Sequence, residues 1–108
     1  MKTRQVFSGA YFFKSHIFLE RVMQVFASQF QYRPQSVFVA EDFKCEGAKA
    51  SISIDGLFPQ EDFETACYFV RYLGEEASSG IVEAWNYVDP SEPVHERFAA
   101  PVTWPRTP

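Results

Sequence analysis

Cysteine is scarce in this chain, and positive charge is outweighed. The two thiols, Cys45 and Cys67, form no CxxC pair, which excludes a disulfide framework and a thiolate metal centre and leaves free thiols as the expectation. Ten lysines and arginines stand against fourteen carboxylates, for a net charge of −4. Phosphate binding draws its affinity from clustered cations, so nucleic acid is not expected as a partner. No apolar run approaches the roughly 18 residues of a membrane span, and the first thirty residues lack the cationic, apolar and small-residue sections of a signal peptide. No membrane partner and a cytoplasmic location are therefore expected. No catalytic or binding signature occurs either, so no catalytic residue, metal or cofactor is assigned, and the sequence leaves open whether the chain is an enzyme while leaning against it.

What the chain has is aromatic bulk. Twelve Phe, five Tyr and two Trp among 108 residues, with 46% hydrophobic side chains, supply the core of a folded domain rather than a disordered segment. A mass of 12.4 kDa is too small for two independent cores, so one domain is expected. Its charge is uneven: residues 1–40 contain Lys2, Arg4, Lys14, Arg21 and Arg33 against the single Glu20, and the remainder is acidic. Such polarity serves as solvated surface charge or helps two chains recognise each other.

Periodicity organises the chain. Gln5 to Phe13 carries apolar residues on both parities and reads as a central strand covered on both faces. Ser15 then suits a helix N-cap, and Leu19, Val22, Met23, Phe26 and Phe30 lay one apolar stripe along a helix that ends near Gln31, before Pro34. Ser36 to Lys44 reads as a second strand, and Cys45-Glu46-Gly47 as a turn with a glycine for positive φ. In the third strand Ala50, Ile52 and Ile54 alternate with Lys49, Ser51, Ser53 and Asp55. Pro59 is expected to open a second helix, with Phe63, Ala66, Cys67, Val70 and Leu73 buried and its end at Gly74 or Ser78-Ser79-Gly80. Ile81 to Val88 forms a fourth strand, closing at Asp89-Pro90.

The order strand, helix, strand, strand, helix, strand is the ferredoxin-like βαββαβ pattern. It predicts an α+β sandwich with a four-stranded antiparallel sheet of spatial order 4-1-3-2 and both helices on one face. Residues 1–89 form this domain, and residues 90–108 a proline-rich C-terminal tail that cannot be a long helix or central strand. Val94, Phe98, Val102 and Trp104 give the tail apolar anchors, so part of it, Trp104 included, is expected to dock on the open sheet face or on a partner.

Two places attract functional readings. At one edge of the sheet, Lys14, Ser15 and His16 are expected near the Lys44-Cys45-Glu46 turn and the Ser78-Ser79 loop. Cations at a helix N-terminus beside free amides suit an anion, and a histidine near a thiol suits nucleophilic chemistry. Lys-Ser-His ahead of a helix is also ordinary surface capping, and no third orienting group stands out. His95 lies beside Glu92 and Glu96 without the fixed spacing of a coordination sphere.

The second place is the open face of the sheet. Turning Val82, Ala84 and Val88 inward brings Glu83, Trp85 and Tyr87 out, across from Ser51 and Ser53, and an exposed aromatic patch marks a ligand, a partner or a covering segment. RNA-recognition domains share the topology, but no Lys/Arg-Gly-aromatic run occurs here and the chain is acidic. Over residues 4–88 the architecture resembles dimeric α+β barrel proteins, which bury this face between two subunits. The resemblance implies a homodimer and, without a shared motif, imports no catalytic residue. The expected function is that of a small non-enzymatic binding or assembly module acting through Trp85, Tyr87, Ser51 and Ser53, with a protein partner or small ligand. The alternative is a ligand binder or enzyme of the barrel type, with its pocket between sheet face and tail.

Overall fold

The computed structural model describes residues 1–30 and 42–102. Strand β1 (Lys2–Phe12) is its centre. Thr3, Gln5, Phe7 and Tyr11 are buried, while Lys2, Arg4, Ser8 and Phe12 are exposed on the other side. That alternation is the two-residue period of a strand with one face on the core. β3 (Lys49–Pro59) pairs antiparallel with the whole of β1, from Lys2 opposite Pro59 to Phe12 opposite Lys49. β4 (Ser79–Tyr87) pairs with β1 on its other edge, from Arg4 opposite Tyr87 to Phe12 opposite Ser79. β2 (Lys44–Glu46) lies outside β3, and β5 (Val94–Ala99) outside β4.

The protein is thus α+β with a five-stranded antiparallel sheet of order β2-β3-β1-β4-β5, which corrects the four-stranded ferredoxin-like expectation. The first four strands keep their expected relative order; the fifth comes from the proline-rich region. Prolines 93 and 101 bracket a stretch free of proline, and within it Val94, Glu96 and Phe98 take the same side as the buried Val82 and Ala84 of β4. Proline is excluded from strand interiors, not from their ends. Asp89 shapes the hairpin before β5: its carboxylate accepts from the Ser91 amide at 3.0 Å and the Ser91 hydroxyl at 2.8 Å. These bonds hold the Asp89 carboxyl below its usual range. Trp104 and most of the Ser36–Lys44 segment lie outside the described residues.

Helices α1 (His16–Phe30) and α2 (Asp62–Glu76) cover one face. The Ser15 hydroxyl accepts from the Phe18 amide at 3.1 Å, the expected N-cap of α1. Leu19, Val22 and Phe26 of its stripe are buried, and Phe26 meets Phe43 and Phe69 edge-on at 5.9 Å each. In α2 the buried set is Phe63, Ala66, Cys67, Phe69, Val70, Leu73 and Gly74. Pro59 does not open this helix. It ends β3, where the Gln5 amide donates to its carbonyl at 3.0 Å, and α2 starts only after Glu61. Nor does Gly74 close it, since α2 runs on to Glu76. Gly74 is a point of close approach: a Cβ there would lie 2.7 Å from the Tyr11 hydroxyl and 2.7 Å from Val102 Cγ2, and the Gly74 carbonyl accepts from the Val102 amide at 3.0 Å. β4 begins two residues earlier than expected and stops at Tyr87, so Val88 falls beyond the ladder and is exposed rather than inward.

Phe26→Ala should cost about 3 to 5 kcal/mol in denaturant melts, the range for emptying a buried phenylalanine site; a loss below about 1 kcal/mol would contradict the aromatic packing around it. Gly74→Ala should also destabilise, although in an exposed helix the same change gains about 1 kcal/mol. Urea unfolding that showed a gain would mean Tyr11 and Val102 do not press on this turn.

Candidate functional site

Opposite the helices, no described element covers the sheet. Register assigns its side chains: Val6, Ser8 and Ala10 of β1 lie at the centre, flanked by Ser51, Ser53, Asp55 and Leu57 of β3 and by Ile81, Glu83, Trp85 and Tyr87 of β4. Phe12, Leu57 and Ile81 are exposed, whereas Trp85 and Tyr87 are half-buried by neighbours on the face itself. Trp85 stacks on His95, directly opposite on β5, with ring centroids 5.0 Å apart and planes 15° from parallel. His95 Nε2 lies 2.8 Å from a Glu83 carboxylate oxygen. Tyr87 sits under the Arg4 guanidinium, 5.0 Å from its centroid, and Arg4 donates to both Asp55 oxygens at 2.9 and 2.8 Å. The guanidinium, hydrogen-bonding to the Asp55 carboxylate, holds that carboxyl below its ordinary range. Ser51 donates to the Lys44 carbonyl at 3.4 Å, and Ser53 is exposed opposite Ser8.

The aromatic pair read from sequence is therefore in place, but each ring carries a partner that spacing could not reveal. His95 and Arg4 are far from Trp85 and Tyr87 in the chain and meet them only through strand pairing. Alternation was the available signal: it placed Trp85 and Tyr87 on one side, and said nothing of what lay beside them.

At the α1 edge, Lys14 reaches back over the Phe18 ring at 4.3 Å, and Ser15 is used by the helix cap. His16 and Cys45 are brought together in a cavity of about 460 Å³ that Leu19, Met23 and Ala27 also line. Partial burial pushes the Cys45 thiol above its ordinary range, the opposite of what activates a nucleophile.

A third region lies on the helix side, at the far end of the sheet. Gln5 and Asn86, opposite each other on β1 and β4, are buried with Thr3. The Thr3 hydroxyl donates to Asn86 Oδ1 at 2.6 Å and accepts from Gln5 Nε2 at 3.3 Å. Asn86 also lines a cavity of about 440 Å³ between α2 and β5, together with Gln60, Glu61, Phe63, Glu64, Val88, Val94 and Glu96. A smaller cavity of about 270 Å³ shares Phe63, Glu64 and Glu96 with it and adds Cys67, Tyr68 and Arg71. Burial, reinforced by the negative charge of Glu96, pushes the Cys67 thiol up to about 12. In the native chain at pH 8 a thiol-disulfide reagent should titrate Cys45, and Cys67 only after unfolding. Equal rates for both thiols would contradict the packing of α2 on the sheet.

No family model, curated protein or solved structure matches this chain.

Proposed function

We propose that the protein is a non-enzymatic binding or assembly module that works as a homodimer, two copies meeting through their open sheet faces. The observation that carries this reading is the composition of that face: Val6, Ala10, Phe12, Leu57, Ile81, Trp85 and Tyr87 share one side of the sheet, and no described element covers them. At about 3.4 Å per residue and about 4.8 Å between strands, the five strands present about 650 Å². A standard interface takes roughly 800 Å² from each partner.

Charge supports a self-complementary partner. Each carboxylate of the face has a cation beside it: Glu46 is opposite Lys49, Glu83 is opposite Arg97, and Asp55 is bonded to Arg4. Pairing each acid with a cation lowers the cost of covering those charges, and an isologous contact lets the same patch serve both copies. The clamped rings of Trp85 and Tyr87 lose little freedom on association, which lowers the cost of ordering the interface.

Light scattering at micromolar concentration should return about twice the 12.4 kDa chain mass. Ile81→Glu should shift it to the monomer without lowering the cooperativity of unfolding, because Ile81 projects from the uncovered face. A wild-type mass equal to one chain, independent of concentration, would overturn the proposal.

A further inference from the structure

His95 is held twice on the open sheet face. Its ring lies against Trp85, with centroids 5.0 Å apart and planes 15° from parallel, and its Nε2 is 2.8 Å from a Glu83 carboxylate oxygen. The ladder sets both contacts, because Trp85 is directly opposite His95 and Glu83 lies two residues away along β4 on the same face. The other titratable and charged groups on this side are Tyr87 of β4 and Arg97 of β5, which stands opposite Glu83; Glu96, next in the chain, takes the helix side. No described strand lies beyond β5. Between about pH 5.5 and 8 an ordinary carboxylate, phenol or guanidinium holds one charge state, whereas an ordinary histidine changes its own. The chain's second histidine, His16, begins α1 and lines the cavity beside Cys45, away from this face.

In a single chain water reaches the pair, the His95 and Glu83 side chains being 44% and 37% exposed, so a proton on the imidazole changes little. Covering the face alters that balance. The carboxylate loses water whichever form the histidine takes. Neutral His95 offers it one N–H bond, while protonated His95 matches its charge as well. The same proton sets a cation against the indole of Trp85, an attraction that grows as water leaves. Desolvating an imidazolium opposes this, but the ion pair enters the interface without net charge, whereas the neutral ring leaves the carboxylate to Arg97 alone.

We infer that His95, received by Glu83 and Trp85, is a pH-sensitive latch of the homodimer, and that its protonation tightens the contact between two sheet faces. The latch rests on the homodimer proposed above. Its contribution is present below the ordinary histidine range and is lost as pH rises through that range. By symmetry each dimer holds two such clusters, and two modest ion pairs amount to about tenfold in affinity.

The test is sedimentation equilibrium of the full chain at about pH 5.5 and about pH 8, on either side of ordinary histidine titration, at fixed ionic strength and with a reductant to keep the thiols free. The wild-type dimer should dissociate about tenfold less readily at the lower pH, the effect of the two ion pairs. His95→Gln, which keeps a hydrogen-bond donor but takes no proton, should still dimerise, with the same dissociation constant at both pH values. Glu83→Gln, which leaves the stack and removes the charge that receives the proton, should also lose the tightening at low pH and gives a second reading if His95→Gln perturbs β5. A wild-type dimer equally tight at both pH values, or tighter at the higher one, would overturn the latch and leave the dimer standing. Full pH dependence in both variants would overturn its assignment to this cluster. A wild-type chain that stays monomeric at both pH values would overturn the dimer, and the latch with it.

Discussion

The pairing of β1 on both edges governs the rest of this structure. Once Phe7 lies opposite both Ile54 and Ala84, every other position of three strands is assigned to one face or the other. A slip of one residue would reverse all of them. Phe7 and Tyr11 then point toward α2, where Phe7 meets Phe63 with centroids 5.6 Å apart and the Tyr11 hydroxyl donates to the Val70 carbonyl at 3.1 Å. That bond sets the height of the helix over the sheet, and Gly74 lets the helix descend to it. The burial that brings Tyr11 there also keeps its phenol protonated well above the ordinary range.

Local patterns carried much of this into view. The Ser15 cap and the stripe through Leu19, Val22 and Phe26 depend on residues a few positions apart, and so does the alternation of Lys49 to Asp55. Proline and glycine misled where their local meaning has two forms. Pro59 suits the first turn of a helix as well as the end of a strand, and the choice depends on its pairing with Lys2. Gly74 suits a helix terminus as well as a contact point, and only the tertiary neighbours Tyr11 and Val102 decide it. β5 was hidden by composition, because the prolines around it outweighed the alternation of Val94, Glu96 and Phe98. The site was less legible still. Glu83, Trp85 and Tyr87 could be assigned to a face, yet His95 and Arg4 join them only through register.

Charge divides between the two layers in a way that sequence position conceals. Among the described cations of the N-terminal part, Arg4 is matched by Asp55 and Lys14 lies over Phe18. On the sheet face, register sets acids beside cations. Along α2 and β5 the acids gather, with Arg71 the cation near Glu96.

The bond between Thr3 and Asn86 joins residues 83 positions apart, and its consequence reaches into biosynthesis. β1 leaves the ribosome before either of its neighbours has been made. It therefore waits as an apolar strand with two bare edges while α1, β2 and β3 emerge, and only the completion of β4 seals the second edge. Topologies closed by such distant contacts fold slowly and expose strand edges on the way. For this chain the interval of greatest vulnerability to misassociation falls during translation, and it ends when the Tyr87 end of β4 reaches Arg4.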